Sequence, residues 1–200
     1  MHRREFFDNL AERWDDEESP DISVRLERVV TLADLHAGQR VLDVGTGTGV
    51  LVPHILQRIG QHGIVVALDI SRGMLGQAKA KMFPSNVYLV LGDMHRAGLG
   101  SGAFDRVLCN AVFPHFEDES IALQEVWRVL RPGGLMIISH PIGREAVNRL
   151  HSQYEAVAQD RVRTADRMQT LLIGMGWVQV EVIDEPDFYL AKAKKPACSP

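Results

Sequence analysis

The chain has 200 residues, of which 46% are hydrophobic and 24% charged, with a formal net charge of -4. That is one domain's length with apolar content for a sizeable core, and the charge balance excludes the basic field that would draw nucleic acid or an anionic membrane. Two cysteines exclude a disulfide framework, the charged start "MHRREFFDNLAERWDDEESP" does not read as a signal peptide, and no apolar run approaches membrane-spanning length, so the expected location is cytoplasmic.

In chain order, "RREFFDNLAERWDD" places Phe6, Phe7, Leu10 and Trp14 on roughly one helical face. "QRVLDV" is the first strand, followed by glycines at 45, 47 and 49 and a helical run, "GVLVPHILQRIG". "GIVVALDI" is the second strand and leads into the helix "SRGMLGQAKAKMF", with Ser71 as its N-cap. "NVYLVLGD" and "FDRVLCNAV" are the third and fourth strands. "ESIALQEVWRVL" aligns Leu123, Val126, Trp127 and Leu130 on one helical face and stops at "RPGG", where Pro and two glycines turn the chain. "LMIISH" is the fifth strand. Two helical segments follow, "GREAVNRLHSQYEAVAQ" and "TADRMQTLLIGMG", the second capped by Thr164 and closed by Gly176. "WVQVEVID" and "DFYLAKAK" are the last two strands, and the basic end "AKAKK" (191–195) reads as a solvated tail.

Near-continuous Val/Ile/Leu strands alternating with helices predict a parallel sheet buried on both faces. The last two strands have only a short Pro turn between them, too short for a parallel crossover. The seven-stranded, mostly parallel sheet is therefore expected to close with an antiparallel hairpin.

Strand, glycine loop and helix also begin a dinucleotide site, but the spacing Gly45-x-Gly47-x-Gly49 is tighter than that fingerprint. Asp43, two residues before the first glycine, suits a cation better than a pyrophosphate. Asp69 ends the second strand, where an acid can accept both hydroxyls of a ribose. The ligand so defined is a nucleoside with a cationic attachment.

On these residues the chain resembles the class I S-adenosylmethionine-dependent methyltransferases, small-molecule type. "VLDVGTGTG", "VVALDIS", "LVLGDMHRAGLGSGAFDRVLCN" and "VLRPGGLMIIS" match four of that family's motifs in order. The resemblance implies a Rossmann-like three-layer sandwich with an N-terminal helical lid. It also implies one domain over 1–200, with 1–35 as lid helices and 36–200 as core. The cofactor implied is S-adenosylmethionine, leaving S-adenosylhomocysteine as product. Gly45 and Gly47 would approach its methionine part, with Asp43 near the ammonium and Asp69 on the ribose diol. Ile70 would pack on the adenine, Asp93 accept from its amine, the Met94 backbone lie at the ring edge, and the Asn110 backbone line the methionine portion.

The acceptor is expected to be a small molecule bound beyond the carboxyl ends of the strands. "NAVFPHF" there departs from the Asn/Asp-Pro-Pro-Tyr/Phe of relatives that methylate planar nitrogens, which argues against adenine, cytosine or glutamine side chains. His140 ends the fifth strand, Arg144, Asn148 and His151 follow at i, i+4, i+7, and His115 lies near the same mouth. His140 and His115 are the candidate catalytic residues. His140, Arg144, Asn148, His151, Phe7 and Trp14 are the candidate acceptor contacts, with Arg144 fitted to a carboxylate or phosphate. The three histidines also suit a transition metal. No nucleic-acid or membrane partner is expected, and oligomeric state and acceptor atom stay open. The alternatives are a non-catalytic cofactor- or metal-sensing module and a nicotinamide-dependent oxidoreductase.

Overall fold

The computed structural model describes residues 3–17 and 21–197, and Cys198 lies outside the described residues. The β-rich runs become β1 (Arg40–Val44), β2 (Ile64–Asp69), β3 (Val87–Leu91), β4 (Phe104–Asn110), β5 (Leu130–His140), β6 (Val178–Glu185) and β7 (Phe188–Lys194). They form one sheet in the order β3-β2-β1-β4-β5-β7-β6. The first five strands pair in parallel, whereas β7 runs antiparallel to both of its neighbours. The hairpin thus doubles back, and its second strand inserts against β5.

Helices α1 (Arg3–Leu10), α2 (Ile22–Leu32), α3 (Val52–Ile59), α4 (Arg72–Ala80), α5 (Glu119–Val129), α6 (Arg144–His151) and α7 (Ala165–Gly174) complete the element order. Successive strand residues point to opposite faces, and the core splits accordingly. Leu42, Val44, Met136 and Ile138 face a layer that includes Leu123 and Val126 of α5 and Met168 and Leu172 of α7. Val41 and Ile137 face the other layer, with Leu26, Val29 and Val30 of α2 and Val52, Ile55 and Ile59 of α3. Each buried aliphatic side chain contributes about 1.5–3 kcal/mol by leaving water. This is the three-layer sandwich that the alternating pattern predicts.

Three local expectations change. The "AKAKK" end is not a solvated tail: β7 continues to Lys194, Ala191 and Ala193 are fully buried, and Lys195 Nζ donates to the carbonyls of Trp127 and Leu130, both at 2.7 Å. An interior strand with alternating Ala and Lys can place its alanines in the core, and Lys192 meets Glu181 at 2.9 Å. Helix α6 stops at His151, and a 3-10 turn (Glu155–Val157) carries the chain to Asp160. Finally, the segment expected as lid divides, since α2 packs into a core layer and only α1 and the turn after it reach the strand ends. Among the described residues no helix is long and apolar enough to cross a membrane.

Candidate functional site

The candidate residues gather at the carboxyl ends of β1, β2, β4 and β5, where parallel sheets of this kind bind their ligands. After Val44 the backbone N–H groups of Gly45 and Thr46 donate to the Leu68 carbonyl at 2.8 and 3.0 Å, folding the glycine loop onto the end of β2. Gly45 has φ +66°, and a Cβ there would sit 2.3 Å from Val112 Cγ2. A Cβ on Gly49 would meet the Phe83 ring at 2.8 Å. At Gly47, with φ +57°, a Cβ would meet nothing within 4 Å. Two of the three glycines therefore make room for the protein's own side chains, and Gly47 is the one whose face is open to a ligand.

Two acids flank that open face. Asp43 is buried and accepts from Thr46 Oγ1 at 2.7 Å. Burial, with repulsion from Asp69, pushes its carboxyl up to about 7 against the pull of that hydrogen bond. Asp69 accepts from the Gly47 N–H through Oδ2 and from the Ser71 N–H through Oδ1, each at 2.8 Å. Burial raises its pKa too, opposed by the backbone N–H groups. Among the described residues neither acid has an ion-pair partner, so a cationic ligand would favour their ionised forms. Ile70, 44% exposed, forms an apolar shelf beside Asp69.

The remaining cofactor candidates have other engagements. Asp93 Oδ1 accepts from the His95 backbone N–H at 3.0 Å and lies 2.7 Å from His95 Nδ1. Burial pushes its pKa up, but the bonds to His95 outweigh that and leave it lowered. The Met94 side chain is buried in the core beside Leu68. Asn110 Oδ1 accepts from Ser139 Oγ at 2.9 Å, which fixes its side chain across β4 and β5. Ala111, at φ +55°, then turns the chain so that Val112 covers Gly45 and His115 follows in a 3-10 turn.

The structure gathers His115, His140 and His151 into one cluster. The His115 and His151 rings lie 4.7 Å apart between centroids, and Phe7 of α1 packs edge-on to His115 at 5.1 Å. Phe7 also meets Trp14 at 6.0 Å, placing both aromatic candidates over this end of the crevice. His140 is buried with Nε2 unpartnered, and burial, then the neighbouring imidazoles, pushes it down to about 3. Burial thus holds the His140 imidazole in its neutral form. The Tyr189 hydroxyl, on the strand position opposite His140, is likewise buried and unpartnered.

Two acceptor candidates are corrected. Arg144 Nε donates to Asp184 Oδ2 at 2.8 Å and its Nη1 meets Glu145 at 2.7 Å, so its fork binds the β6 hairpin instead of a substrate anion. Asn148 Oδ1 accepts from the Val162 N–H at 2.9 Å and pins the loop before α7. Both side chains serve chain connections because α6 turns only His151 and Val147 inward. Nor do three His, Cys, Asp or Glu side chains among the described residues form a group able to hold a metal ion. His115 Nδ1 and His151 Nδ1 are both directed to Asp160, at 2.7 Å to its carboxylate and 2.7 Å to its carbonyl.

Asp160, Arg3 and Asp8 carry no motif and escape sequence reading. Arg3 Nη2 and Nε donate to the two oxygens of Asp160 at 2.6 and 3.0 Å. Burial pushes Asp160 up, but His115 and Arg3 together hold it at about 2. Asp8 Oδ1 accepts from Ser71 Oγ at 2.6 Å and from the Gly73 N–H at 2.8 Å, capping α4 from outside. Asp15 accepts from Thr48 Oγ1 of the glycine loop and meets Lys81 Nζ at 2.7 Å.

A doubly covered parallel sheet with a reversed terminal hairpin, a glycine loop at the first strand and paired acids at the first two strand ends defines a Rossmann-like methyltransferase domain. The sequence model of the methyltransferase domain matches residues 42–138. The ubiquinone/menaquinone biosynthesis C-methyltransferase UbiE of Coxiella burnetii is 30% identical over 113 residues, 54% of this chain and 45% of that protein. Its counterpart from Vibrio cholerae is 32% identical over 124 residues, 58% and 47% of the two chains. The chain thus spans about half the length of these curated relatives. In fold it resembles a SAM-dependent methyltransferase from Aquifex aeolicus, with a TM-score of 0.74 and 21% identity over 97% of this chain and 99% of that one. It also resembles phosphoethanolamine N-methyltransferase 2 of Haemonchus contortus in complex with S-adenosyl-L-methionine, at 0.73 and 17% over 86% and 52%. Residues 42–138 thus match the methyltransferase-domain model, and the chain has the fold of S-adenosylmethionine-dependent methyltransferases.

Proposed function

We propose that the protein binds S-adenosylmethionine in this crevice and transfers its methyl group to a small-molecule acceptor, leaving S-adenosylhomocysteine. The likeness to C-methyltransferases favours carbon as the acceptor atom. The observation that carries the reading is the pair of buried, unpaired carboxylates, Asp43 and Asp69, flanking the open face of Gly47. Asp43 receives the ammonium, Asp69 the ribose diol and Ile70 one face of the adenine, with Asp93, the Met94 backbone and the Asn110 backbone completing the site. The pyrophosphate of a nicotinamide cofactor would instead face two buried acids, which disfavours the oxidoreductase reading.

When bound, the sulfonium supplies an activated methyl group that is displaced in line, so the hard chemistry is the cofactor's. The protein's part is to hold the reactants at near-attack distance and to exclude water. Helix α1, which carries Phe7, and Trp14 in the turn after it form the lid that does the second, with the Phe7 ring packed edge-on to His115.

Asp43 gives a test that needs no acceptor. Its folded pKa is raised from the ordinary 3.8 to about 7, so below that pH it is largely protonated, and its share of stability is lost as pH climbs from about 4 through 7. A cation restores the favourable balance by meeting the ionised form. Calorimetric affinity for S-adenosylmethionine is expected to rise about fivefold between pH 6 and pH 7, with release of about half a proton per site at pH 7. Binding without proton release and without pH dependence sinks the assignment of Asp43, and an absence of binding sinks the reading. Transfer of labelled methyl into small-molecule pools then identifies the acceptor.

A further inference from the structure

Resting on that reading of the crevice, we propose that His140 and Tyr189 form a binding niche for an uncharged carbonyl oxygen of the methyl acceptor. Both side chains lie on one face of the sheet. Along β5, Met136 and Ile138 enter the layer of α5 and α7, and His140 follows two positions on. Along β7, Ala191 and Ala193 enter the same layer, and Tyr189 precedes Ala191 by two positions. The two are direct partners in the antiparallel register, with ring centroids 6.1 Å apart. His140 is 2% exposed and Tyr189 fully buried, yet His140 Nε2 and the Tyr189 hydroxyl have no hydrogen-bond partner among the described residues. Buried polar atoms are nearly always partnered, and two orphans on adjacent rings point to a ligand atom between them.

The surroundings select which atom. Tyr189 belongs to a cluster with Val147 of α6 and Val162, joined by Ile142 and Val182. The charges that act on its hydroxyl cancel in pairs: Arg144 bonds to Asp184 at 2.8 Å and Arg163 to Glu119 at 2.6 Å. Burial pushes the Tyr189 hydroxyl up, so it stays a donor. On the His140 side the titratable groups are His115 and His151, both already directed to Asp160. An ionised ligand would leave water with no free counter-charge to meet, and a hydrocarbon would leave both polar tips unsatisfied. A carbonyl oxygen brings two lone pairs and no charge. It accepts from the Tyr189 O–H and from His140 as its Nε2–H tautomer.

The niche adjoins the place assigned to the methyl donor. Ser139, the residue before His140, pairs with Asn110 across β4 and β5, and its Oγ donates to Asn110 Oδ1 at 2.9 Å. Asn110 lines the methionine portion in the proposed cofactor site. The niche lies one strand further along the sheet, where β7 flanks β5. A carbonyl anchored there orients the acceptor beside the methyl group and takes no part in bond making. His140 and Tyr189 are thus specificity-determining contacts, recruited from a strand end and from the returning strand of the terminal hairpin.

The test uses the full chain saturated with S-adenosylhomocysteine and four probes of similar shape: cyclohexanone, cyclohexylamine, cyclohexanecarboxylate and methylenecyclohexane. Two-dimensional imidazole NMR is expected to show the His140 ring signals moving on addition of cyclohexanone, with His140 as the Nε2–H tautomer in the complex. The amine, the carboxylate and the hydrocarbon should each bind about fivefold more weakly or worse. Tyr189→Phe deletes only an unpartnered oxygen, so it should keep or raise the thermal midpoint while weakening cyclohexanone about three- to tenfold. Cofactor affinity in Y189F should match that of the wild type in calorimetry. In labelled methyl transfer to a small-molecule extract, Y189F should slow the reaction at dilute extract and regain the rate at concentrated extract, the mark of weakened acceptor binding. Unmoved His140 signals, the Nδ1–H tautomer, equal binding of a charged probe or an unchanged Y189F rate at dilute extract each overturn the proposal. A Y189F midpoint lowered by several degrees overturns it too, since the hydroxyl then belongs to the scaffold. Failure of the underlying reading shows separately, as wild-type protein that binds neither S-adenosylmethionine nor its product in calorimetry.

Discussion

Replacing Asp69 by alanine is expected to weaken S-adenosylmethionine binding by about two orders of magnitude, since two charge-assisted hydrogen bonds to the ligand would each be worth about 1.5–3 kcal/mol. The same carboxylate also accepts from the N–H groups of Gly47 and Ser71, so the variant loses the clasp that holds the loop and the start of α4 together. Part of that cost is offset by the removal of a buried acid whose pKa burial has raised. The fold should therefore survive, with thermal unfolding a few degrees lower, while calorimetry records the loss of affinity. Retained affinity in a folded D69A protein would overturn the cofactor assignment.

The glycines separate into structural and ligand-facing positions, and alanine substitution should reveal which is which. Gly45→Ala drives a Cβ to 2.3 Å from Val112 Cγ2, at φ +66°. Overpacking in a close-packed interior costs about 1–3 kcal/mol, and the left-handed backbone adds about 1–2. G45A should thus unfold at markedly lower denaturant, and Val112→Ala in the same chain should recover part of the loss. Gly47→Ala meets open space, so only the backbone penalty applies to folding. Its cofactor binding should nevertheless fall tenfold or more, because the new methyl would stand on the face proposed for the ligand. If both variants lose stability equally and G47A binds normally, the open face of Gly47 is not the ligand site.

The sheet and its hairpin were legible in the sequence because each rests on local pattern: unbroken Val/Ile/Leu runs, helical periodicity between them, and a connection at 185–187 too short to cross over. Asp43, Asp69 and the glycine loop were legible because the chain keeps them within 27 positions as one strand-loop-helix-strand unit. Asp160 and Arg3 were not, because nothing marks an aspartate in a loop or an arginine near a chain start until the fold sets them 2.6 Å apart across 157 positions. Arg144 and Asn148 failed for the complementary reason. Helical spacing put them on one face with His151, but the face is narrow, and the β6 hairpin and the loop before α7 reach it first. The "AKAKK" end misled because two lysines among alanines look solvated until a strand pairs on either side of them.

The fastening of α1 and the turn after it is polar at three anchor points: Arg3 on Asp160, Asp8 on the start of α4, and, in the turn, Asp15 on Thr48 and Lys81. Two of these anchors are ion pairs whose side chains keep about a third or more of their surface in water on one partner or both. Mobile ions screen such pairs over about 8 Å at physiological ionic strength, while the apolar layers beneath are indifferent to them. Ionic strength is thus expected to act as a throttle on the release of this segment. Added sodium chloride should hasten proteolytic nicking within α1, with the midpoint of global unfolding nearly unmoved.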